Sequence, residues 1–290
     1  MTKAAAKAKK EKFDVFVRRV SSNNPIKIES DTLAVEEPLE IRLGFVEDKE
    51  FRHQAISITM RTPGNDFELA AGFLFTEGVI SSKNEISGIK YCGNSASATN
   101  TVRVDLDPHT KVNLKKLERN FYTTSSCGVC GKSSIDALAT GAKKIAANDF
   151  PKVSSEIIHR LPEKLRPAQD IFDETGGLHA AALFDTNGNL IDLREDVGRH
   201  NAVDKLIGAQ FLAGNLPLRD KILFLSGRAS FELVQKAVMA QIPVIAAVGA
   251  PSSLAVKAAD EFGATLLGFV RDKRFNVYTG IERMIYETAS

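Results

Sequence analysis

Two of the three cysteines in this 290-residue chain stand as Cys127-Gly128-Val129-Cys130, inside a polar run that opens at Thr123 and closes at Ser134. The thiolate is the nucleophilic form of cysteine, so the surroundings decide whether such a pair is reactive. Ser133 followed three residues later by Asp136 is a capping-box pattern, which predicts that the cysteines lie in the loop just before a helix N-terminus. The positive end of that helix and the neighbouring Lys132 both favour thiolate over thiol. Glycines at 128 and 131 let the loop move. A low-pKa thiolate on a mobile loop suits a task in which sulfur is received from one partner and surrendered to another.

Other readings of the pair fit less well. A structural zinc site needs four ligands, whereas only Cys92 and five scattered histidines are left to complete this one. A thioredoxin-like exchanger wants its cysteines directly after a strand, and Asn120 to Ser126 is polar and loop-like. Ser126 to Ser133 has the spacing of a phosphate-binding loop, but Ser126 replaces the first glycine and no apolar strand precedes it. A buried, inert pair would want apolar neighbours rather than glycine, serine and lysine. A persulfide carrier is the remaining chemistry: a thiolate attacks a sulfur presented by a donor, holds it as Cys-S-SH and passes it on. Cys92, beside Tyr91 at a strand end, reads as an ordinary packed cysteine.

A second set of candidates lies in the last third. Ser226-Gly227-Arg228 follows the apolar run Ile222 to Leu225, and Gly249-Ala250-Pro251-Ser252 follows Pro243 to Val248, each leading into a helical pattern. In open α/β sheets ligands lie beyond the carboxyl ends of strands, where amides at helix starts face anions. Arg271, Lys273 and Arg274 follow the run Ala264 to Phe269 and can reach the same edge, offering forks matched to pyrophosphate. The plainer alternatives are ordinary turn chemistry for the glycines and a solvated, aggregation-deterring edge for the basic residues. His179 heads a His-Ala-Ala run where a zinc deaminase needs His-x-Glu. Ala181 therefore removes the carboxylate that deamination requires. His179 and His200 then read most simply as satisfied, partly buried histidines.

The elements that must hold these residues follow from composition and periodicity. Apolar residues make up 43% and charged residues 26%, which places the chain among globular proteins. Length alone suggests about two domains. Five lysines against one glutamate give the first twelve residues a charge of +4, leaving 33 basic against 35 acidic residues in the rest. Residues 1–12 read as a disordered basic tail, and a body without basic excess argues against nucleic acid as a partner. No apolar run approaches the length of a membrane helix and no apolar core follows the N-terminal lysines, so a cytoplasmic protein is expected. Strands are predicted over 13–20, 39–46, 55–61, 86–91 and 101–106, with a helix capped by Asp66 and running to Gly78. After a loop over 121–134, helices are predicted over 135–147 and 154–172. From Gly176 a hairpin, 179–184 with 190–194 about the turn 185–189, precedes alternating elements. Helices are read over 201–212, 231–241 and 252–262, and strands over 222–225, 243–248, 264–269 and 275–278. Short apolar strands alternating with helices mean crossover units and a sheet covered on both faces. The expected class is α/β, α+β overall. A mixed, strand-rich domain over 13–150 carries the cysteine loop, an αβ domain spans 151–290, and the boundary falls near 149–154.

Read in order, Ser125 to Gly131, Thr175-Gly176-Gly177-Leu178-His179-Ala180-Ala181, Glu195 to Lys205, Ser226-Gly227-Arg228 and Phe275 to Thr279 resemble the formate dehydrogenase accessory sulfurtransferase family, FdhD. The resemblance spans nearly the whole chain after the basic tail. It implies a cytoplasmic sulfur carrier that accepts sulfur from a cysteine desulfurase. The sulfur then goes to the molybdenum bis(molybdopterin guanine dinucleotide) cofactor, bound as substrate, before its insertion into the catalytic subunit of formate dehydrogenase. It further implies a homodimer, a cytidine-deaminase-like C-terminal domain, and Cys127 as persulfide bearer with Cys130 beside it in the catalytic loop. The segment Phe269-Val270-Arg271-Asp272-Lys273-Arg274 matches the family's cofactor-binding stretch. No resident metal is expected. The competing class is a non-catalytic chaperone that binds and shields the cofactor, its cysteines serving redox sensing or docking.

Overall fold

A computed structural model of the chain describes residues 11–22, 25–93, 98–110, 142–146, 152–169 and 174–286. The cysteine loop with Cys127 and Cys130, and residues 1–10 of the basic tail, lie outside the described residues. Glu11 and Lys12 are described and are part of the fold. The Glu11 carbonyl accepts a hydrogen bond from the Val35 amide at 2.9 Å, and Lys12 opens the first strand.

The first half begins with an antiparallel ribbon of β1 (Lys12–Arg19) and β2 (Lys27–Ala34), the second of which the periodicity did not reveal because polar residues dominate it. A four-stranded sheet follows, built from β3 (Glu37–Glu47), β4 (Glu50–Arg61), β5 (Ile86–Tyr91) and β6 (Thr101–Leu106) in the order β4-β3-β6-β5. Between β4 and β5 runs α1 (Asp66–Thr76). Asp66 does not cap this helix as expected: the cap position is Asn65, at φ 52° and without a side-chain cap bond. The Asp66 carboxylate instead takes two 2.9 Å hydrogen bonds from the buried Arg61 guanidinium, a stronger demand than a cap.

The second half contains β7 (Val153–Ser154), α2 (Ser155–Leu165), β8 (His179–Asp185), β9 (Leu190–Asp196), α3 (Arg199–Ala213), β10 (Lys221–Leu225) and α4 (Phe231–Met239). It continues with β11 (Val244–Ala247), α5 (Ser253–Glu261), β12 (Thr265–Arg271), β13 (Arg274–Thr279) and β14 (Met284–Ile285). Six of its strands form a sheet in the order β13-β12-β11-β10-β8-β9. β10, β11 and β12 are parallel, whereas β8, β9 and β13 run antiparallel to their neighbours, so the sheet is mixed. Strand alternation sorts its side chains onto two faces. Ala180, Ala182 and Phe184 join one apolar cluster with Ile158, Leu161 and Leu165 of α2, while Ala181 and Leu183 join another with residues of α3, α4 and α5. The second cluster continues through α1 into Leu39, Ile41, Val102 and Val104 of the four-stranded sheet, so one core joins the two halves.

The halves meet where α1 crosses α3. A Cβ at Gly72 would lie 1.9 Å from the Asp204 carbonyl oxygen, and one at Gly208 would lie 1.8 Å from that of Glu68. Only glycine permits this backbone-to-backbone approach.

Two predicted helices need correction. Of the run 135–147, residues 142–146 are described and are not helical. The Ile145 amide donates to the Phe262 carbonyl at 2.8 Å, and Arg283 donates to the Ala146 carbonyl at 3.1 Å, so these residues lie as an irregular strip against the second half. The helix expected over 154–172 ends at Leu165 and passes into a 3-10 turn, Arg166–Ala168, because Pro167 supplies no amide to continue it. Ser154 caps its start, accepting from the Glu156 amide at 3.3 Å. Among the described residues no helix is long and apolar enough to cross a membrane.

Candidate functional site

The parallel run of β10, β11 and β12 brings three turns to one edge of the six-stranded sheet, each leaving the carboxyl end of its strand. They are stitched together by backbone. The Gly249 amide donates to the Gly227 carbonyl at 2.9 Å, Phe269 donates to Gly249 at 3.1 Å, and Ser252 donates to Ala229 at 3.0 Å. The sequence-predicted turns 226–228 and 249–252 and the stretch 269–274 are thus neighbours. Because β8 is antiparallel to β10, its first residue, His179, sits at the same edge. The Ser226 hydroxyl holds it there by accepting from the Ala180 amide at 2.8 Å.

Residues 269–274 form the β12–β13 hairpin. Arg271 pairs with Arg274 across a two-residue turn at Asp272 and Lys273, whose φ values of 52° and 56° are those of a tight hairpin turn. Phe269 also takes a positive φ, 56°, where the ladder slips, and the Arg271 guanidinium lies 5.9 Å from its ring centroid. Arg271, Asp272, Lys273 and Arg274 are exposed, whereas Val270 is fully buried in the core beneath them. The hairpin is therefore a basic, solvent-facing tip on a packed base.

Charges inward of this edge are matched one by one. Asp196, at the end of β9, is fully buried and meets Lys205 Nζ at 2.8 Å, Asn201 Nδ2 at 3.0 Å and the Gly198 amide at 2.7 Å. Lys205 also donates to the Thr62 carbonyl at 2.8 Å, and Asn201 donates to the Met60 carbonyl at 2.7 Å, tying α3 to the first half. One turn further along α3, Asp204 accepts from Lys236 at 2.9 Å and from the Thr76 hydroxyl at 2.8 Å. Burial works against the charged ammonium of Lys236, but Asp204 and Glu77 outweigh it and hold the group above the ordinary lysine value. In the first half, Tyr91 donates to Asp66 at 3.2 Å, and burial followed by that carboxylate pushes its hydroxyl up to about 12. These nodes escaped the sequence reading. The available signal was the placement of Asp204 and Lys205 between the apolar pairs Ala202-Val203 and Leu206-Ile207, with no polar face left for them on a buried helix.

The two histidines part company. His200 is satisfied as expected: its Nε2 lies 2.8 Å from the Glu232 carboxylate and 3.3 Å from the Ser230 hydroxyl, and its hydrogen bond holds the Glu232 carboxyl below the ordinary glutamate value. His179 is half-buried, and among the described residues its ring has no hydrogen-bond partner. Burial, then the charges of Arg199, His200 and Arg228, press its pKa below the ordinary histidine value against the pull of Asp196. Cys92 is half-buried just beyond β5, its amide donating to the Thr101 carbonyl at 2.8 Å.

The model of the FdhD/NarQ family matches residues 34–285. A sulfur carrier protein FdhD of Streptomyces coelicolor is 52% identical over 264 residues, covering 89% of this chain and 91% of that protein. Proteins of the same description from Mycobacterium tuberculosis and Sulfurisphaera tokodaii are 47% identical over 275 residues and 45% over 258. They cover 92% and 89% of this chain, and 96% and 93% of their own lengths. Among solved structures, a candidate formate dehydrogenase accessory protein from Desulfotalea psychrophila superposes with a TM-score of 0.72 at 25% identity. The match covers 95% of this chain and all of that one. The motifs that suggested the family, the fold that carries them and the extent of these matches agree: the chain belongs to the FdhD/NarQ family.

Proposed function

We propose that this protein is a sulfur carrier serving formate dehydrogenase. Cys127 takes sulfur from a cysteine desulfurase: its thiolate attacks the outer sulfur of the donor's persulfide, the donor's S–S bond breaks, and the donor cysteine leaves as thiolate. Cys127 then bears the persulfide, with Cys130 assisting or protecting it. The outer sulfur passes to molybdenum bis(molybdopterin guanine dinucleotide), held as substrate at the sheet edge against Phe269, Arg271, Asp272, Lys273 and Arg274, with Val270 buried beneath them as their support. The Cys127 S–S bond breaks, Cys127 leaves as thiolate, and the two electrons that make the sulfur a sulfido ligand come from the reduced molybdenum of the substrate. The sulfurated cofactor goes on to the catalytic subunit of the dehydrogenase, and the carrier works as a homodimer in the cytoplasm.

The observation that carries this reading is the junction of the glycine turns at 227 and 249 with Phe269, at the base of the basic hairpin, beyond the carboxyl ends of three parallel strands. That is where α/β sheets take phosphorylated ligands, in a chain whose relatives are described as sulfur carriers. Intact-mass measurement after incubation with desulfurase and cysteine tests it. An adduct about 32 Da heavier is expected on the wild type and none on Cys127→Ala, which should also fail to support formate dehydrogenase maturation in cells. Cys130→Ala should be equal or milder and Cys92→Ala nearly neutral. Full maturation with Cys127→Ala would leave the chaperone reading in its place.

A further inference from the structure

We propose that the β1–β2 ribbon is the surface through which two copies of this chain associate, its outer face stacking on the same face of the second copy about a two-fold axis at Phe16. The inference rests on the homodimer of the proposed function and adds its surface and symmetry.

The ribbon has little of its own to hold it in place. Among the described residues its strands pair only with each other, and none of its side chains joins either apolar cluster. A lone two-stranded ribbon is marginal in water unless something covers its apolar side chains. Its base is fastened to the body, where the Val35 amide donates to the Glu11 carbonyl and Lys12 meets Glu174 at 2.6 Å. Beyond that base the apolar side chains face water. Phe16 is 84% exposed and Ile28 69%, and Val20 and Ile26, next beyond the last strand pair, are exposed with them. An exposed apolar patch of this kind marks a binding surface.

The order of side chains along that face points to a second copy. Asp14 stands opposite Thr32, Phe16 opposite Ser30 and Arg18 opposite Ile28, and alternate residues of a strand share a face. Along β1 the face therefore reads acid, apolar, base. A two-fold axis reverses that order in the other copy, so that Phe16 meets the partner's Phe16, and Asp14 and Arg18 meet the partner's Arg18 and the partner's Asp14. An isologous interface requires such self-complementarity. The two charges are not spent on each other within one chain. Asp14 accepts from the Thr32 hydroxyl at 2.9 Å, and Arg18 is exposed and enters no ion pair among the described residues. A partner surface of one sign, such as a nucleic acid or an anionic membrane, would set like charge against Asp14.

Sedimentation velocity of the full-length protein over a range of concentrations tests the surface. The wild type should be a dimer. Phe16→Glu, Asp14→Arg and Arg18→Asp should each raise the dimer dissociation constant by about tenfold or more, the last two by setting like charges face to face. All three positions are exposed, so far-UV circular dichroism should match the wild type and separate lost association from lost folding. An equimolar mixture of Asp14→Arg and Arg18→Asp chains should recover the dimer, because each mutant charge then faces its opposite. The double variant Asp14→Arg with Arg18→Asp should recover it alone. A merely structural role for either residue would give neither recovery. If the single variants dissociate and neither recovery occurs, the two-fold placement is overturned. A wild-type dimer that all three variants leave intact overturns the surface while the homodimer reading stands, even if Phe16→Glu then weakens binding to the desulfurase and so assigns the ribbon to that partner. A wild type that stays monomeric at every concentration overturns both.

Discussion

Within the stretch 195–205 the two ends use charge in opposite ways. At the inner end, Asp204 and Lys205 are 2% and 1% exposed, Asp204 held by Lys236 of α4 and Lys205 by buried Asp196 of the same stretch. At the outer end, Arg199 has no carboxylate among the described residues and His200 reaches one only half-buried. Desolvating a charge is tolerable only when a partner returns the lost hydration, so the inner groups are fixed parts of the core. The outer groups keep access to water, and with it the capacity to bind something else. One short motif therefore contains both the anchor that joins the halves of the molecule and groups at the edge proposed to take the ligand.

The largest expected effect lies at the anchor. Lys205→Met leaves Asp196 buried without its counter-charge and should cost about 3–5 kcal/mol, read from the urea midpoint. Replacing Asp204 and Lys236 together by Leu and Met should cost much less than Asp204→Leu alone, because no charge is then stranded. If Arg228→Gln destabilised the protein more than Lys205→Met, the contrast between the two ends would be wrong.

Next comes the helix crossing on which the anchor depends. Gly208→Ala places a methyl group against the Glu68 carbonyl, so α1 and α3 must separate, at about 1–3 kcal/mol or more by thermal unfolding. The outer end should behave differently. Arg228→Gln, at an exposed arginine, should change stability by no more than about 0.5 kcal/mol, a difference from Lys205→Met that sharpens the comparison.

The smallest effect concerns His200 and Glu232. The folded carboxyl is held below its ordinary value of 4.5, so its contribution is present above that pH and is lost as pH falls through the folded value. Glu232→Gln should therefore cost under about 1 kcal/mol at neutral pH and nothing measurable in acid, as followed by thermal midpoints across pH.

Much of this molecule was legible one residue at a time. Strands 86–91 and 101–106 fall where alternation placed them, and α3, α4, β10 and β11 sit within one to three residues of their predicted ends. Their apolar periods are set by which face is buried, and that is written locally. β2 is missed because polar residues dominate it and, among the described residues, its strand partner is β1 alone, and the strip 142–146 reads as helix because its Phe262 partner lies 117 positions away.

The sequence by itself determined the family, the candidate chemistry of Cys127 and Cys130, and the order of the alternating strands and helices, because motif spacing and hydrophobic period are local properties. Only the tertiary structure decided that the strands at 222–225, 244–247 and 265–271 run parallel and so deliver Gly227, Gly249 and the 269–274 hairpin to one edge. It alone separated Asp196, Asp204 and Lys205, each with a counter-charge, from Arg199, which has none among the described residues. Whether a charge finds its counter-charge depends on groups brought together by packing, such as Lys236 of α4 meeting Asp204 of α3, and no local pattern records that meeting.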